Sequence, residues 1–337
     1  MFPWGGRSCN IELMRFIGIF LIMGHHLYLI GCTDNYIFKS CWVWVDFFFI
    51  LTGAVTYKHF EKCTLSTEQF ECEALAYTWR KFARFFPLTA LSVMMMCFLK
   101  YGDLLFQEGW SHFFAAIAYS PFEMCYMSSS GIVSTLNAPL WFLSAMFITL
   151  PMIVFLIQRH RELWKVISFC LPIMYFGYKG VNTDRAWPND IIRAFVCMAL
   201  GTISFMIAER VREYNHDTSF LRKMICSISE VACMFFAVYI SALNKSCINL
   251  MEPLFVILIA LLLSQCTVTA KLESRICTAL GSISMPMFIF HWCVGSVCIF
   301  VTSNMKLRIL IYYTGTLIIG IVWFIVQYYL QIRRYNK

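Results

Sequence analysis

The chain alternates long apolar runs with short polar segments, and this pattern predicts membrane-spanning helices. A helix needs about 20 mostly apolar residues to cross the hydrocarbon core, with some spans shorter or tilted. Ten runs qualify: 11–31, 42–57, 85–101, 139–157, 164–180, 191–208, 224–243, 248–264, 281–302 and 309–330. An eleventh run, 112–127, is weaker because Ser120, Pro121 and Glu123 interrupt it.

The basic residues decide whether 112–127 crosses. With ten spans, Lys and Arg are about three times as frequent in the segments on the side of the two termini as on the other side. An eleventh crossing would reverse every later segment and remove that bias. Because cytoplasmic loops carry the excess of Lys and Arg, we predict ten spans, both termini cytoplasmic, and 112–127 interfacial or re-entrant at the outer surface.

The composition also indicates an integral membrane protein. The 337 residues are 60% hydrophobic and 14% charged, which is too apolar for a soluble domain. The longest polar stretch, about 58–80, is too short to hold a core, so we expect no soluble domain and one all-α transmembrane domain over 1–337. Residues 1–10 resemble a cytoplasmic tail rather than a signal peptide. Membrane orientation explains the net charge of +8, and we expect no nucleic-acid partner.

The cysteines give little indication of a metal site. There are 16, but none form a CxxC pair and most lie in apolar runs, where free thiols behave as small hydrophobes. Cys32 and Cys41 flank the first outer loop and could form a disulfide, a question the sequence leaves open.

The first span carries three basic side chains. Arg15 and His26 are eleven positions apart, about three helical turns with about 20° of offset, and about 16 Å along the axis. His25 falls about 80° to the other side and is expected to pack against a neighbouring helix. Buried charges usually face polar cavities, so a shared face predicts a polar channel entered from the cytoplasm. The alternatives are snorkelling of Arg15 to headgroups and a neutral interhelical hydrogen bond from His26.

Two further charged groups stand at span entrances. Asp46 begins the second span from the outer side at a depth comparable with His26, where the two could meet; equally, Asp46 could cap its own helix. Arg80, Lys81 and Arg84 lie at helical spacing before the third span. Ordinary positive-inside charge explains such a cluster, although grouped cations also suit a polyphosphate.

These motifs together resemble the acyltransferase-3 family of membrane O-acyltransferases. The similarity rests on Arg15 followed after ten residues by His26, on VDFFFILTG at 45–53, on the K-x-x-R-x-x-P entry at 81–87, on NAPLWFLSAMF at 137–147 and on FIFHWCV at 288–294. The motifs occur in the expected order over nearly the whole chain.

The resemblance implies transfer of an acyl group, most often acetyl, from cytoplasmic acetyl-CoA or another acyl-CoA to a hydroxyl of a carbohydrate or glycolipid. It implies no metal, and a multi-pass protein of the bacterial plasma membrane that modifies cell-envelope polysaccharide. Arg15, Lys81 and Arg84, with Arg80 beside them, would bind the CoA phosphates. His26 would act at the reacting centre as a general base or as an acylated nucleophile, and Asp46 could orient its ring.

The chain also departs from the family pattern. Many members have a glutamate five residues after the tryptophan that matches Trp141, where this chain has Met146, so we assign no catalytic acid there. Thr52 replaces the usual serine of the second-span motif. His25, Trp141 and His291 are further candidates, with a structural role for His291 slightly favoured.

Two other functions fit a polytopic protein with buried ionisable groups. An exporter or flippase of lipid-linked sugars would distribute such groups through both halves, whereas here they crowd the first three spans, leaving only Arg193 and His291 later. A receptor or sensor would bind a ligand without turnover. The asymmetry favours the enzyme.

Overall fold

A computed structural model of the chain describes residues 8–32, 37–61, 67–127, 136–181, 190–214, 220–243, 250–271 and 274–335. Within these ranges the side chains of 67–72, 179–181, 243, 271 and 331–335 are not described. Residues 1–7 of the predicted tail lie outside the described residues, and so does most of 128–136, the segment between 112–127 and the next predicted span, which the ten-span topology would place on the outer side.

The described part of the chain is helical throughout and contains no strand. Its α-helices are α1 Cys9–His25, α2 Trp44–Glu61, α3 Thr67–Gln107, α4 Trp110–Ala116, α5 Ser120–Met124, α6 Leu140–Arg159, α7 Arg161–Val181, α8 Asp190–Tyr214, α9 Phe220–Leu243, α10 Met251–Ser264, α11 Arg275–Val301 and α12 Met305–Tyr335. Short 3-10 helices lie at His26–Ile30, Cys41–Val43 and Thr269–Lys271. Each of the ten predicted spans falls on one of these helices.

Seven helices of the described ranges are long and apolar enough to cross a membrane: α1 with its 3-10 turn, α3, α6, α8, α9, α11 and α12. This is the architecture of an integral membrane protein. The other three predicted spans lie on α2, α7 and α10, of which α10 is a shorter apolar helix. The count of ten and the side of the termini therefore stay predictions.

The interrupted run 112–127 does not form one helix. It folds as α4 and α5, which pack on α3, and Pro121 lies in the first turn of α5. Large aromatic side chains of this region are exposed, with Trp110 61% and Tyr119 65% accessible. Aromatic rings that are apolar with a polar edge suit the membrane–water interface, in line with the predicted interfacial position.

The chain forms two compact units that are interleaved in sequence. Unit 1 comprises Met1–Trp44, Thr218–Ile248 and Gln265–Lys337, and unit 2 comprises Val45–Asp217 and Asn249–Ser264. Unit 1 therefore holds α1, α9, α11 and α12, and unit 2 holds α3 to α8, α10 and nearly all of α2.

In unit 1, α11 packs against both α1 and α12. Glu12 lies against Gly281, and the ring of His26 lies near His291, so α1 and α11 run in the same direction. Gly281 is required for the close approach, because a Cβ atom there would overlap the Glu12 side chain. Small residues that admit a neighbouring helix in this way are typical of membrane bundles.

In unit 2, α8 packs against α6, α7 and α10. Its contact with α2 is closest at a pair of glycines: a Cβ on Gly53 would lie 2.1 Å from the carbonyl oxygen of Met198, and one on Gly201 would lie 2.2 Å from that of Ile50. The glycine that closes the VDFFFILTG motif therefore has a packing role, since it lets two backbones touch.

Candidate functional site

The helical geometry of the first span changes at the histidines. The span predicted at 11–31 falls on one candidate span, Cys9–Ile30, but within it α1 ends at His25 and His26–Ile30 form a 3-10 turn. Gly31 ends the turn with a φ of 91°, a left-handed conformation that glycine adopts without strain. Arg308 of α12 donates to the carbonyl oxygen of Ile30 at 3.0 Å, which fixes the C-terminal end of the turn.

His25 and His26 have different partners. The Nδ1 of His25 donates to the carbonyl oxygen of Lys39 at 2.8 Å, in a turn at 37–40, and the packing of His25 against a neighbouring helix stays a prediction. The Nδ1 of His26 lies 3.2 Å from the hydroxyl of Tyr28. His26 is partly exposed, and its ring centroid is 5.4 Å from that of Trp292.

His291 lies directly beside His26. Their ring centroids are 5.1 Å apart with the planes tilted by 30°. His291 is fully buried, and its Nδ1 is 2.6 Å from the carbonyl oxygen of Phe288. Since a carbonyl only accepts, Nδ1 carries the proton and the neutral ring keeps a lone pair on Nε2. Among the described residues, this Nε2 has no hydrogen-bond partner.

Arg15 is paired within its own helix. Its Nη1 contacts both carboxylate oxygens of Glu12, at 3.0 and 3.1 Å. Glu12 is buried and the Arg15 side chain is 21% exposed. The pair neutralises a cation inside an apolar helix and so lowers the cost of keeping it there. Glu12 and His26 both contact α11, while a shared face for Arg15 and His26 stays a prediction.

Asp46 forms a buried ion pair in unit 2. Its Oδ1 accepts from the Nε of Arg193 at 2.6 Å, and the side chains of the two residues are 0% and 7% exposed. The guanidinium carbon of Arg193 stands 5.3 Å from the ring centroid of Trp141, within cation–π range. The first turns of α2, α6 and α8 thus meet at three side chains. The predicted action of Asp46 on His26 stays a prediction.

The basic side chains Arg80, Lys81 and Arg84 of α3 are at least partly exposed, and each contacts another side chain. Arg80 forms an ion pair with Glu73, and the two side chains are 58% and 31% exposed. The Nζ of Lys81 lies 4.6 Å from the ring centroid of Tyr77. Arg84 is exposed, with its guanidinium 5.9 Å from the ring of Phe85.

Sequence reasoning missed the partners of these residues. Glu12 could have been found from its position three residues before Arg15, a spacing at which opposite charges meet on a helix. Arg193 pairs with a residue 147 positions away, and no local signal reveals that. Cys32 and Cys41 are free thiols, and no described group of three His, Cys, Asp or Glu side chains could hold a metal.

A family profile described as an acyltransferase domain matches residues 10–330. This chain belongs to the acyltransferase-3 family. The match includes every motif on which the resemblance was based, from Arg15 to the helix that carries His291. Searches of curated proteins and of solved structures gave no significant match.

Membership of the acyltransferase-3 family identifies the protein as a membrane acyltransferase. An acyltransferase requires a group that removes a proton from the attacking nucleophile. In unit 1, the ring of His26 is partly exposed, and in unit 2 the side chains of Asp46 and Arg193 form an ion pair with each other.

Proposed function

We propose that this acyltransferase moves an acetyl group from cytoplasmic acetyl-CoA to a hydroxyl of a cell-envelope carbohydrate or its lipid-linked precursor, with His26 as the general base. The observation that carries this proposal is the His26 ring, partly exposed and supported on one side by the buried His291. The donor and the acceptor class are inferred from the family resemblance.

The reaction needs one proton acceptor at the point of attack. The hydroxyl oxygen of the acceptor forms a bond to the thioester carbonyl carbon while neutral His26 takes the hydroxyl proton. The tetrahedral intermediate then breaks its C–S bond, and the thiolate of CoA leaves and recovers the proton from His26. An imidazole suits both steps, because its ordinary pKa lies near neutrality.

The phosphates of CoA need cations away from the reacting carbonyl. Arg15 precedes His26 by eleven residues, about 16 Å along a helix, a separation that suits a long thioester donor. In unit 2, Arg84 is exposed and Lys81 is partly exposed beside the ring of Tyr77, and Arg80 would have to exchange Glu73 for a phosphate. We assign these four cations to the donor.

The test is acetyl transfer by the purified protein in detergent. With acetyl-CoA and an acceptor glycan, we expect release of CoA and acetylation of the glycan by mass spectrometry. His26→Ala should lower kcat by about 10²- to 10⁴-fold, the usual contribution of a general base. His25→Ala is the matched control, because its Nδ1 is bound to Lys39, and kcat should change by only a few fold.

Binding of the donor is tested separately. Arg15→Ala and Arg84→Ala should each raise the KM for acetyl-CoA about 10-fold or more, as expected for loss of a hydrogen bond to a charged group. Unchanged KM values would contradict the phosphate-binding role. Acceptor glycan that crosses a proteoliposome membrane without becoming acetylated would instead support the exporter or flippase.

A further inference from the structure

The two ring nitrogens of the buried His291 differ in their hydrogen bonding. It is 0% exposed, and its Nδ1–H is bound to the carbonyl oxygen of Phe288, three residues earlier in the same helix. This bond fixes both the tautomer and the plane of the ring. An Nε2 lone pair without a donor among the described residues is then left inside unit 1, and leaving a buried acceptor unsatisfied is unfavourable.

The groups around this nitrogen narrow its possible partners. From α12, Tyr312 approaches with its ring centroid 6.3 Å away, but its hydroxyl donates to the carbonyl oxygen of Met23 at 3.2 Å. From α11 itself, Phe288 contributes an apolar ring. From the 3-10 turn comes His26, at 5.1 Å between ring centroids. Of these neighbours, His26 is the one with a ring N–H to offer.

The spacing of the two rings matches a direct hydrogen bond. Two imidazoles joined by an N–H···N bond of about 2.9 Å have centroids about 5 Å apart, close to the distance observed between His26 and His291. Since the Nε2 of His291 has no partner in the present arrangement of the described residues, forming the bond requires the His26 ring to turn from its present orientation. The Nδ1 of His26 then leaves the hydroxyl of Tyr28.

We propose that His291 is a positioning residue whose Nε2 accepts a hydrogen bond from the protonated His26 ring and so holds that ring for acyl transfer. When His26 takes the proton of the acceptor hydroxyl, both of its nitrogens carry N–H groups. One faces the departing thiolate, and the other needs an acceptor. His291 supplies it without a charge, so the pair carries a single positive charge during the reaction. This inference rests on the proposed function of His26.

Two substitutions of His291 test the roles of its two ring nitrogens separately. In His291→Asn, the side-chain amide can still donate to the carbonyl of Phe288, but no acceptor remains at the position of Nε2. In His291→Gln, the longer amide places an acceptor oxygen near that position. Tyr28→Phe is the matched control, because it removes the other hydrogen-bond partner of His26 and leaves His291 intact.

We expect His291→Asn to lower kcat by about 10- to 100-fold, the effect of losing one hydrogen bond to a charged group, with the KM for acetyl-CoA unchanged. His291→Gln should retain kcat within a few fold, and Tyr28→Phe likewise. Thermal unfolding in detergent reports whether each variant is folded. The separation of kcat from KM and the rescue by Gln are results that a purely structural role would not give.

Wild-type kcat in a folded His291→Asn variant would overturn the proposal. A folded His291→Gln variant with kcat reduced more than about 10-fold would overturn it as well, and this result decides the matter if the Asn variant does not fold. In both cases the wild type remains active and His26→Ala inactive. If the proposed function fails, the wild type itself shows no acetyl transfer.

Discussion

Unit 1 and unit 2 each bury ionisable side chains, but they satisfy them differently. In unit 2, Asp46 and Arg193 neutralise each other across 2.6 Å, and both are almost completely buried. In unit 1, His291 is buried as a neutral ring with one nitrogen bound and the other open within the described residues. The first arrangement cancels charge, and the second keeps a lone pair available.

The difference distinguishes two ways of burying an ionisable group. A buried ion pair is weak evidence for stability, because its attraction is largely offset by desolvation, and the Oδ2 of Asp46 still has no hydrogen-bond partner among the described residues. An unpartnered buried polar atom is a net cost, and each unit carries such an atom, so substitution decides the role of Asp46 as it does that of His291.

Removing one partner of the ion pair should have the largest effect on stability. Arg193→Met leaves the Asp46 carboxylate buried without its cation, and we expect the free energy of unfolding to fall by about 3 to 5 kcal/mol. Loss of the cation–π contact with Trp141 adds to this. Thermal or denaturant unfolding in detergent measures the loss.

The double variant Asp46→Leu/Arg193→Met is the control for that substitution. Since it removes both charges, it should recover most of the lost stability, and equal losses in the single and double variants would contradict a charge-pair origin. The same protein decides the predicted action of Asp46 on His26: a stable double variant with wild-type kcat would exclude it, whereas a stable but inactive one would support it.

Each unit has a glycine at a close helix contact, so the effect of a glycine-to-alanine substitution on stability can be compared between the units. Gly53→Ala would force a Cβ against the backbone oxygen of Met198, and Gly281→Ala would force one against the side chain of Glu12. We expect each to lower stability by about 1 to 3 kcal/mol, with Gly53→Ala the larger because backbone cannot move aside. Thermal unfolding tests this order.

Gly295→Ala is the matched control within α11. A Cβ there would meet Tyr312 at 3.4 Å, an ordinary contact, so stability should change little. In addition, Gly281→Ala should lower the rate of acetyl transfer, because it displaces α1, the helix that leads into His26. Wild-type activity in a destabilised Gly281→Ala protein would separate the packing of α1 from the reacting centre.

Local patterns predicted the helices well. Each apolar run falls on a helix, and the polar residues within 112–127 correctly marked a segment that breaks into α4 and α5. The extents were less accurate, since α3 continues from Thr67 to Gln107 around a predicted span of 85–101. Helix formation extends through the polar residues before 85, where hydropathy gives no signal.

The partners of the site residues could not be predicted in the same way. His26 lies beside His291, and Asp46 beside Arg193, through contacts between helices distant in sequence. A single sequence contains no record of such pairing. The 3-10 turn at His26–Ile30 was missed for a similar reason: it depends partly on Arg308 of α12, which binds the carbonyl of Ile30.

A buried carboxylate outside the long apolar helices gives a smaller, pH-dependent test. Burial raises the pKa of Glu123 above its ordinary value, although the backbone N–H groups of Leu136 and Asn137 that bind it act in the opposite direction. The folded state then holds this proton more tightly than the unfolded state. Stability should therefore decrease as the pH rises from the ordinary glutamate pKa through the raised one.

Glu123→Gln should abolish this contribution to the slope of stability against pH and cost about 1 kcal/mol at neutral pH through one lost hydrogen bond. Unfolding of both proteins across that pH range checks it, and identical slopes would contradict the pKa shift. The substitution also measures how much the stability of unit 2 depends on a carboxylate that accepts hydrogen bonds from backbone N–H groups, for comparison with the contribution of the Asp46–Arg193 ion pair.

The smallest expected effects compare the two arginines that already hold a carboxylate, Arg15 with Glu12 in unit 1 and Arg80 with Glu73 in unit 2. Glu73→Gln should change stability by less than about 1 kcal/mol, since the pair is exposed to solvent. If the released arginine binds the phosphates of the donor, the KM for acetyl-CoA should fall by less than about fivefold at low salt. At high salt, where exposed charges are screened, the KM should return to the wild-type value.

Glu12→Gln makes the same test for Arg15, with weaker dependence on salt because Glu12 is buried. A decrease in one variant alone would assign the donor phosphates to that unit, and no decrease in either would argue against both arginines as phosphate ligands.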